Sequence, residues 1–198
     1  GTFRLSVSDM RNTGIVPNNR LNRQTVNMLV TSKISDRLTI ENKINYIKQH
    51  SVNPPETGGA ARSATVALTR LPTFLDLNWL KTYKRENGTV INYKAGSPNN
   101  PYWLMNEVVA DGTRDRIIGY ILAKYKFTDW LTLQARTGTD FYKDTRSSRI
   151  GINTPGVAQG QVDNDEFNVK EENSDVLLTV SGNLSKNITG SFLAGANH

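Results

Sequence analysis

Several stretches of the chain alternate apolar and polar residues, and this period of two predicts β-strands. Val26, Met28 and Val30 alternate with mostly polar neighbours, and a similar pattern begins at Leu131. Between residues 117 and 125 both registers contain large apolar residues, so the pattern assigns no face there. About seven stretches show this period, and most have the ~9 to 11 residues of a tilted membrane-spanning strand. The pattern therefore predicts an all-β protein.

Three segments of similar form separate pairs of these stretches. They cover residues 34–40, 127–133 and 184–190. Each contains an apolar residue, a hydroxyl residue, two mostly polar residues, and a second apolar residue followed by threonine. A Ser or Thr hydroxyl at such a place favours a tight turn, because it hydrogen-bonds to the nearby backbone. We therefore predict three hairpins with short connections.

The connections at the opposite end of the strands are predicted to be longer, over about residues 9–20, 51–113 and 143–174. Short turns at one end and long loops at the other are typical of outer-membrane barrels, with the short turns on the periplasmic side. Soluble sandwiches normally have short connections at both ends. We therefore predict an antiparallel transmembrane β-barrel segment with short periplasmic turns and long extracellular loops, located in the bacterial outer membrane.

The positions of the charged residues in the strands are consistent with a sheet that has one face in lipid. A Lys or Arg that faces lipid at mid-membrane costs roughly 2 to 4 kcal/mol, so such residues should lie on the polar register. The predicted lumen-facing residues all fall on it: Arg4, Arg23, Lys43, Arg136 and Asp140. They are expected to hold an internal plug or line a pathway, or else to form solvated ion pairs without a ligand.

Composition excludes several other classes of protein. No run approaches the ~18 apolar residues of a membrane-spanning helix, which excludes an α-helical membrane protein. The chain has no cysteine, and its histidines, His50 and His198, lie far apart. Neither a metal cluster nor a Ser/His/Asp arrangement is therefore predicted. The net charge of +6 is scattered among acids, which does not indicate nucleic-acid binding. We predict a non-enzymatic protein without cofactors.

Seven strands do not close a bacterial barrel, which needs an even number of at least about 8. An open sheet would leave unpaired backbone groups in lipid, at several kcal/mol each. We therefore expect residues 1–198 to be one part of a larger barrel, with further strands before residue 1, after residue 198, or both.

A series of short segments occurs in order along essentially the whole chain: GIVPN at 14–18, LNR at 21–23, KISD at 33–36, INY at 44–46, NPYW at 100–103, RDRIIG at 114–119 and LTLQAR at 131–136. In this order they resemble the barrel of SusC/RagA-type TonB-dependent transporters. The resemblance implies a barrel of about 22 strands that encloses a plug. It also implies energy supply through TonB, a SusD-like surface lipoprotein that acts as a lid, and import of glycans or peptides. The family's plug and TonB-contacting segment have no counterpart in these residues.

The long loop contains aromatic residues that are candidate contacts for cargo or the lid: Trp79, Tyr83, Tyr102 and Trp103. The spacing of apolar residues after Pro72 predicts a short amphipathic helix. A tryptophan there would stack on a sugar ring; the alternative, which we prefer, is that these rings pack the loop against its neighbours.

Two other classes of protein remain as alternatives. A secreted carbohydrate-binding β-sandwich or adhesin module would use the loop aromatics as a sugar platform. A glycoside hydrolase fragment would need a pair of carboxylates, for which Asp111 and Asp115 are the candidates.

Overall fold

The computed structural model describes residues 1–54, 63–94 and 100–198, except for the side chain of Leu184. Seven antiparallel strands form one sheet in sequence order, which confirms the predicted all-β class. The strands are β1 (Thr2–Thr13), β2 (Arg20–Lys33), β3 (Leu38–Val52), β4 (Val108–Lys126), β5 (Leu131–Ile150), β6 (Gln161–Ser185) and β7 (Ile188–Asn197).

The three predicted hairpin turns are confirmed, and each hydroxyl residue makes the expected hydrogen bond. Ser35 Oγ accepts from the backbone N–H of Leu38 at 3.1 Å. Thr128 Oγ1 accepts in the same way from Leu131 at 3.0 Å, and Ser185 Oγ from Asn187 at 3.3 Å. Because consecutive strands are antiparallel neighbours, the three turns lie at one end of the sheet, which we call the turn end. The other connections lie at the loop end.

The connections at the loop end are shorter than predicted, because the strands continue farther. Strands β5 and β6 extend through most of the predicted 143–174 loop, so that prediction is wrong, and residues 151–160 alone connect them. The other two connections shorten to residues 14–19 and 53–107.

Polar side chains hold this strand extension together. Lys143 Nζ lies 3.0 Å from Glu166 Oε1, and Ser148 Oγ donates to Asp163 Oδ2 at 3.2 Å. Since both faces of the sheet carry mostly polar side chains here, the hydrophobic period disappears from the sequence while the backbone ladder continues. The sequence pattern therefore marked only the apolar part of each strand.

The strand register places large apolar side chains together on one face. Val7, Val26, Tyr46, Ile117 and Phe141 lie side by side across five strands. We call the exposed apolar side chains of this face the apolar belt: Phe3, Leu5, Val7, Val26, Ile44, Tyr46, Ile117, Ile121, Tyr125, Phe141, Val176, Leu178 and Phe192. The next row toward the loop end is entirely polar: Asp9, Gln24, Lys48, Asp115, Lys143 and Asn168.

The opposite side of the sheet, which we call the polar face, carries most of the charged side chains at belt height. Arg4, Leu29, Lys43 and Tyr120 form one of its rows. The register also settles the stretch where the sequence assigned no face, because Ile118 falls on the polar face.

The described residues of the long connection between β3 and β4 contain three short helices. They are α1 (Ala64–Thr69), a 3₁₀ helix (Leu77–Lys81) and α2 (Pro101–Glu107). The predicted amphipathic helix is thus only a 3₁₀ helix, and in the described residues no helix has both the length and the apolar character needed to cross a membrane.

A small hydrophobic cluster lies in the described part of this connection. Trp103 and Leu104 of α2 are buried against Ala67 of α1, and Tyr83 packs on them. The described residues form one sheet, with no second sheet packed on it. A β-sandwich buries its core between two sheets, so the sandwich alternative is wrong for this part of the chain.

Candidate functional site

Charged side chains of β4 and β5 form a ladder on the polar face near the loop end. Arg114 and Arg116 lie two residues apart on β4, and Asp140, Asp144 and Arg146 alternate along β5. Residues two apart in a strand share one face, and Arg114 lies directly opposite Asp144. Strand spacing and register therefore bring the five side chains to one surface, which we call the arginine ladder.

Asp144 is the centre of this ladder. Its Oδ2 accepts from Arg114 Nη2 at 2.5 Å and from Arg146 Nη2 at 2.8 Å. The carboxylate is only 7% exposed. The hydrogen bond from Arg146 lowers the pKa of the Asp144 carboxyl; burial opposes this, and the bond from Arg114 adds to it. Asp144 therefore stays ionised and holds two guanidinium groups together.

Aromatic rings contact the guanidinium groups of three arginines in the ladder. Tyr142 lies between two guanidinium groups, at 5.1 Å from that of Arg114 and 5.8 Å from that of Arg116. The guanidinium of Arg146 lies 5.0 Å from the ring of Phe167. Such cation–π contacts are worth about 0.5 to 1 kcal/mol at exposed sites, so they orient the arginines more than they stabilise the sheet.

A cleft of about 400 Å³ opens beside Asp144, at the loop end of the polar face. Its polar lining comes mainly from the four strands β3 to β6: Gln49, Ser51, Asp111, Arg114, Asp144, Arg146 and Asp165. This cleft combines guanidinium donors with carboxylate, amide and hydroxyl groups. It is therefore suited to a polar ligand with several hydrogen-bonding groups.

The predicted lumen-facing residues share the polar face but do not form one cluster. Arg136 Nη2 lies 2.7 Å from Asp175 Oδ1, and Asp140 pairs with Arg116. The remaining three, Arg4, Arg23 and Lys43, are exposed toward the β1 side of the sheet. Within the described residues these three have no salt-bridge partner.

Sequence reasoning missed the part of the ladder around Asp144. It placed Asp144 and Arg146 in a predicted loop, because the hydrophobic alternation stops near Phe141. A signal was present all the same: Asp140 and Asp144 share the period of two, and Arg114 and Arg116, also two residues apart, carry the opposite charge.

The aromatic candidates of the loop divide by exposure. Trp103 is completely buried, and its indole N–H donates to Thr154 Oγ1 at 3.0 Å. Tyr83 meets it edge to face, and Tyr102 is half-buried. Trp79 is 72% exposed. In this structure Trp103 therefore packs the loop, whereas Trp79 presents its ring to solvent.

The proposed carboxylate pair does not have hydrolase geometry. Asp111 and Asp115 lie four residues apart on β4, which is about 13 Å along a strand, whereas paired glycosidase carboxylates lie about 5 to 9.5 Å apart. Each has its own partner: Asp111 contacts His50 Nε2 at 2.7 Å, and Asp115 accepts from the Tyr46 hydroxyl at 2.6 Å. Among the described residues no cluster of three potential metal ligands occurs.

Comparison with known proteins shows a similarity of fold and no more than that. No protein-family model and no curated protein matches the chain. Among solved structures, the chain is similar to those described as the RagAB peptide transporter (TM-score 0.74) and the RagAB peptide importer in its open-open state (0.71) and closed-closed state (0.70). In each case the identity is 15%, and the match covers 98% of this chain but 22% of the other. The chain thus spans about a fifth of the length of the chains it resembles.

Proposed function

We propose that this chain is a sector of the wall of a bacterial outer-membrane β-barrel importer. The observation that carries the proposal is the division of the sheet into an exposed apolar belt and a polar face with an ion-pair ladder. The Lys170–Glu172 ion pair interrupts this face on β6, but a soluble protein rarely leaves so large an apolar surface in water. Against lipid the same belt is favourable, and the polar face then lines the lumen.

The height of the belt fits a membrane. On β4 it runs from Ile117 to Tyr125, which is eight residue steps. At about 3.3 Å per residue and a tilt of about 40°, this spans roughly 20 Å across the bilayer, near the ~25 Å apolar band of outer-membrane barrels. Beyond the belt, the polar strand extension and the loop helices would stand outside the membrane on the extracellular side.

The proposal also covers the imported molecule, the rest of the protein and a partner lipoprotein. The imported molecule would be a nutrient, an oligosaccharide or a peptide, and the solved structures of similar fold are described as peptide importers. The rest of the protein would supply the remaining strands, a plug and the contact with TonB. A SusD-like surface lipoprotein would cover the loop end, where the exposed Trp79 and Phe74 offer an apolar contact. The wall itself would catalyse no reaction.

Site-directed fluorescence in the full-length protein tests the wall placement. The 198 residues contain no cysteine, so single cysteines label cleanly within this sector. We would introduce Ile44→Cys in the belt, Lys43→Cys on the polar face and Lys48→Cys beyond the belt, and attach a small fluorophore to each. The labelled proteins would be placed in vesicles whose phospholipids carry brominated acyl chains, which quench by contact.

We expect strong quenching at position 44 and weak quenching at positions 43 and 48. Positions 43 and 44 are neighbours in sequence, so only the orientation of the strand face separates them. Similar quenching at 43 and 44, or none at any position, would overturn the proposal.

A further inference from the structure

The arginine ladder leaves hydrogen-bond donors unused where the cleft opens. A guanidinium has five N–H donors. Arg114 uses Nε and Nη2 on Asp144, and Arg146 uses Nη2 on the same oxygen. In the described part of the chain, Arg114 Nη1 and Arg146 Nε and Nη1 have no hydrogen-bond partner. The two side chains are 39% and 56% exposed, so these donors are available to a ligand.

Asp144 turns the two arginines into one preorganised unit. A single carboxylate, 7% exposed, holds both guanidinium groups, and Tyr142 and Phe167 support them from the side. The two guanidinium groups and the carboxylate that they share carry a formal net charge of +1. Preorganised donors of this kind favour a planar anion that accepts two hydrogen bonds, which is the geometry of a carboxylate.

The other residues that line the cleft add a second requirement for the ligand. Asp165 lies opposite Arg146 on β6, and Gln49 and Ser51 line the cleft from β3. Asp165 cancels the formal net charge of +1 that Arg114, Arg146 and Asp144 leave, and Asp111, which also lines the cleft, pairs with His50. A bare anion is therefore less suited than a carboxylate flanked by hydrogen-bond donors. Hydroxyl groups of an acidic sugar and amide N–H groups of an acidic peptide both supply such donors.

We propose that Arg114 and Arg146 bind a carboxylate of the imported molecule in this cleft, with Asp144 as the positioning residue and Asp165 as an acceptor for the adjoining donor. This inference rests on the proposed function, because it takes the polar face to be the lumen wall. It goes further in assigning acidic cargo to a defined site on the extracellular half of that wall.

Single substitutions test this without leaving the buried carboxylate unpaired. In Arg146→Gln, Asp144 keeps Arg114 as a partner, and in Arg114→Gln it keeps Arg146. The matched control is Arg149→Gln, which removes the same charge from the same strand. Since Arg149 is three residues from Arg146, its side chain lies on the other face.

Protection of a thiol in the cleft measures binding directly. Ser148→Cys places a thiol in the cleft lining, in the full-length protein without other reactive cysteines. A neutral maleimide labels this thiol, and the labelling rate is followed as a probe is added. The probes are a terminally blocked peptide with two glutamates, the same peptide with glutamines, trigalacturonate, and its methyl ester.

We expect at least one acidic probe to slow labelling to saturation, whereas its neutral counterpart does not. Which acidic probe protects identifies peptide or sugar as the source of the carboxylate. Arg114→Gln and Arg146→Gln should each weaken protection about tenfold or more, as loss of a hydrogen bond from a charged donor implies. Arg149→Gln should leave protection unchanged.

Protection by neutral probes as strong as by acidic ones, or no protection by either acidic probe, would overturn the inference. So would equal effects of the cleft variants and Arg149→Gln. Fluorophore quenching at positions 43 and 44 remains a separate measurement. A wall without this site would keep that quenching pattern and show no carboxylate-dependent protection.

Discussion

Placing a charge in the middle of the apolar belt should strongly destabilise the folded protein in a bilayer. Ile121 is 55% exposed and lies four residues from each of Ile117 and Tyr125, the ends of the belt on β4. At about 3.3 Å per residue and a tilt near 40°, its side chain sits roughly 10 Å from either edge of the belt. Ile121→Arg therefore puts a guanidinium near the bilayer centre.

The expected cost is about 2 to 4 kcal/mol, which lowers the folding equilibrium constant about 30- to 900-fold. The control is Thr113→Arg, on the same strand and face but four residues beyond Ile117. There the cost should be about 0 to 1 kcal/mol, because the side chain lies outside the hydrocarbon. Urea titration of the full-length protein in vesicles, read by heat-modifiable migration in gels, measures both. Equal destabilisation by the two substitutions would refute the assignment of this face to lipid.

Three further outcomes follow from the ladder and the hydrophobic cluster of the loop. Asp144→Asn should destabilise the protein by about 1 to 3 kcal/mol, measured by the same titration, because it removes the anion shared by two partly exposed arginines. The contribution of Asp144 to stability depends on pH. Because the pKa of Asp144 is lowered in the folded state, this contribution is fully present above the unfolded-state pKa of about 3.9. It is lost as the pH falls through the folded-state pKa. The stability difference between wild type and Asp144→Asn should thus be constant from pH 5 to 7, roughly, and shrink below about pH 4; a difference that grows on acidification would contradict it. Trp103→Ala should destabilise the hydrophobic cluster of the loop by about 3 to 5 kcal/mol and expose residues 63–94 and 100–107 to limited proteolysis, whereas Trp79→Ala should leave the cleavage pattern unchanged.

The turn end of the fold was predictable because its signals are local. A hydroxyl residue beside each turn bonds the backbone two or three residues away, and Ser35 and Thr128 do this as expected. The apolar belt was predictable for a similar reason. Alternation along a single strand, such as Val26 and Met28 on β2, already separates the two faces.

The loop end was not predictable from alternation, because its stability comes from pairs between strands. Nothing near Asp144 in sequence indicates that Arg114, thirty residues earlier, lies opposite it. The same holds for Trp103, whose burial depends on α1 and on Thr154 beyond the end of β5. Register between strands decides these contacts, and a single strand's sequence does not encode it.

The most direct test of the wall assignment is the structure of the full-length protein in a lipid nanodisc, determined by electron cryomicroscopy. We expect the outer edges of β1 and β7 to pair with further strands of the same protein in a closed barrel. Lipid density should lie against Leu5, Ile44 and Ile121, and the arginine ladder should face the lumen. A second layer of protein packed on the apolar belt, with the edges of β1 and β7 left open, would contradict the account.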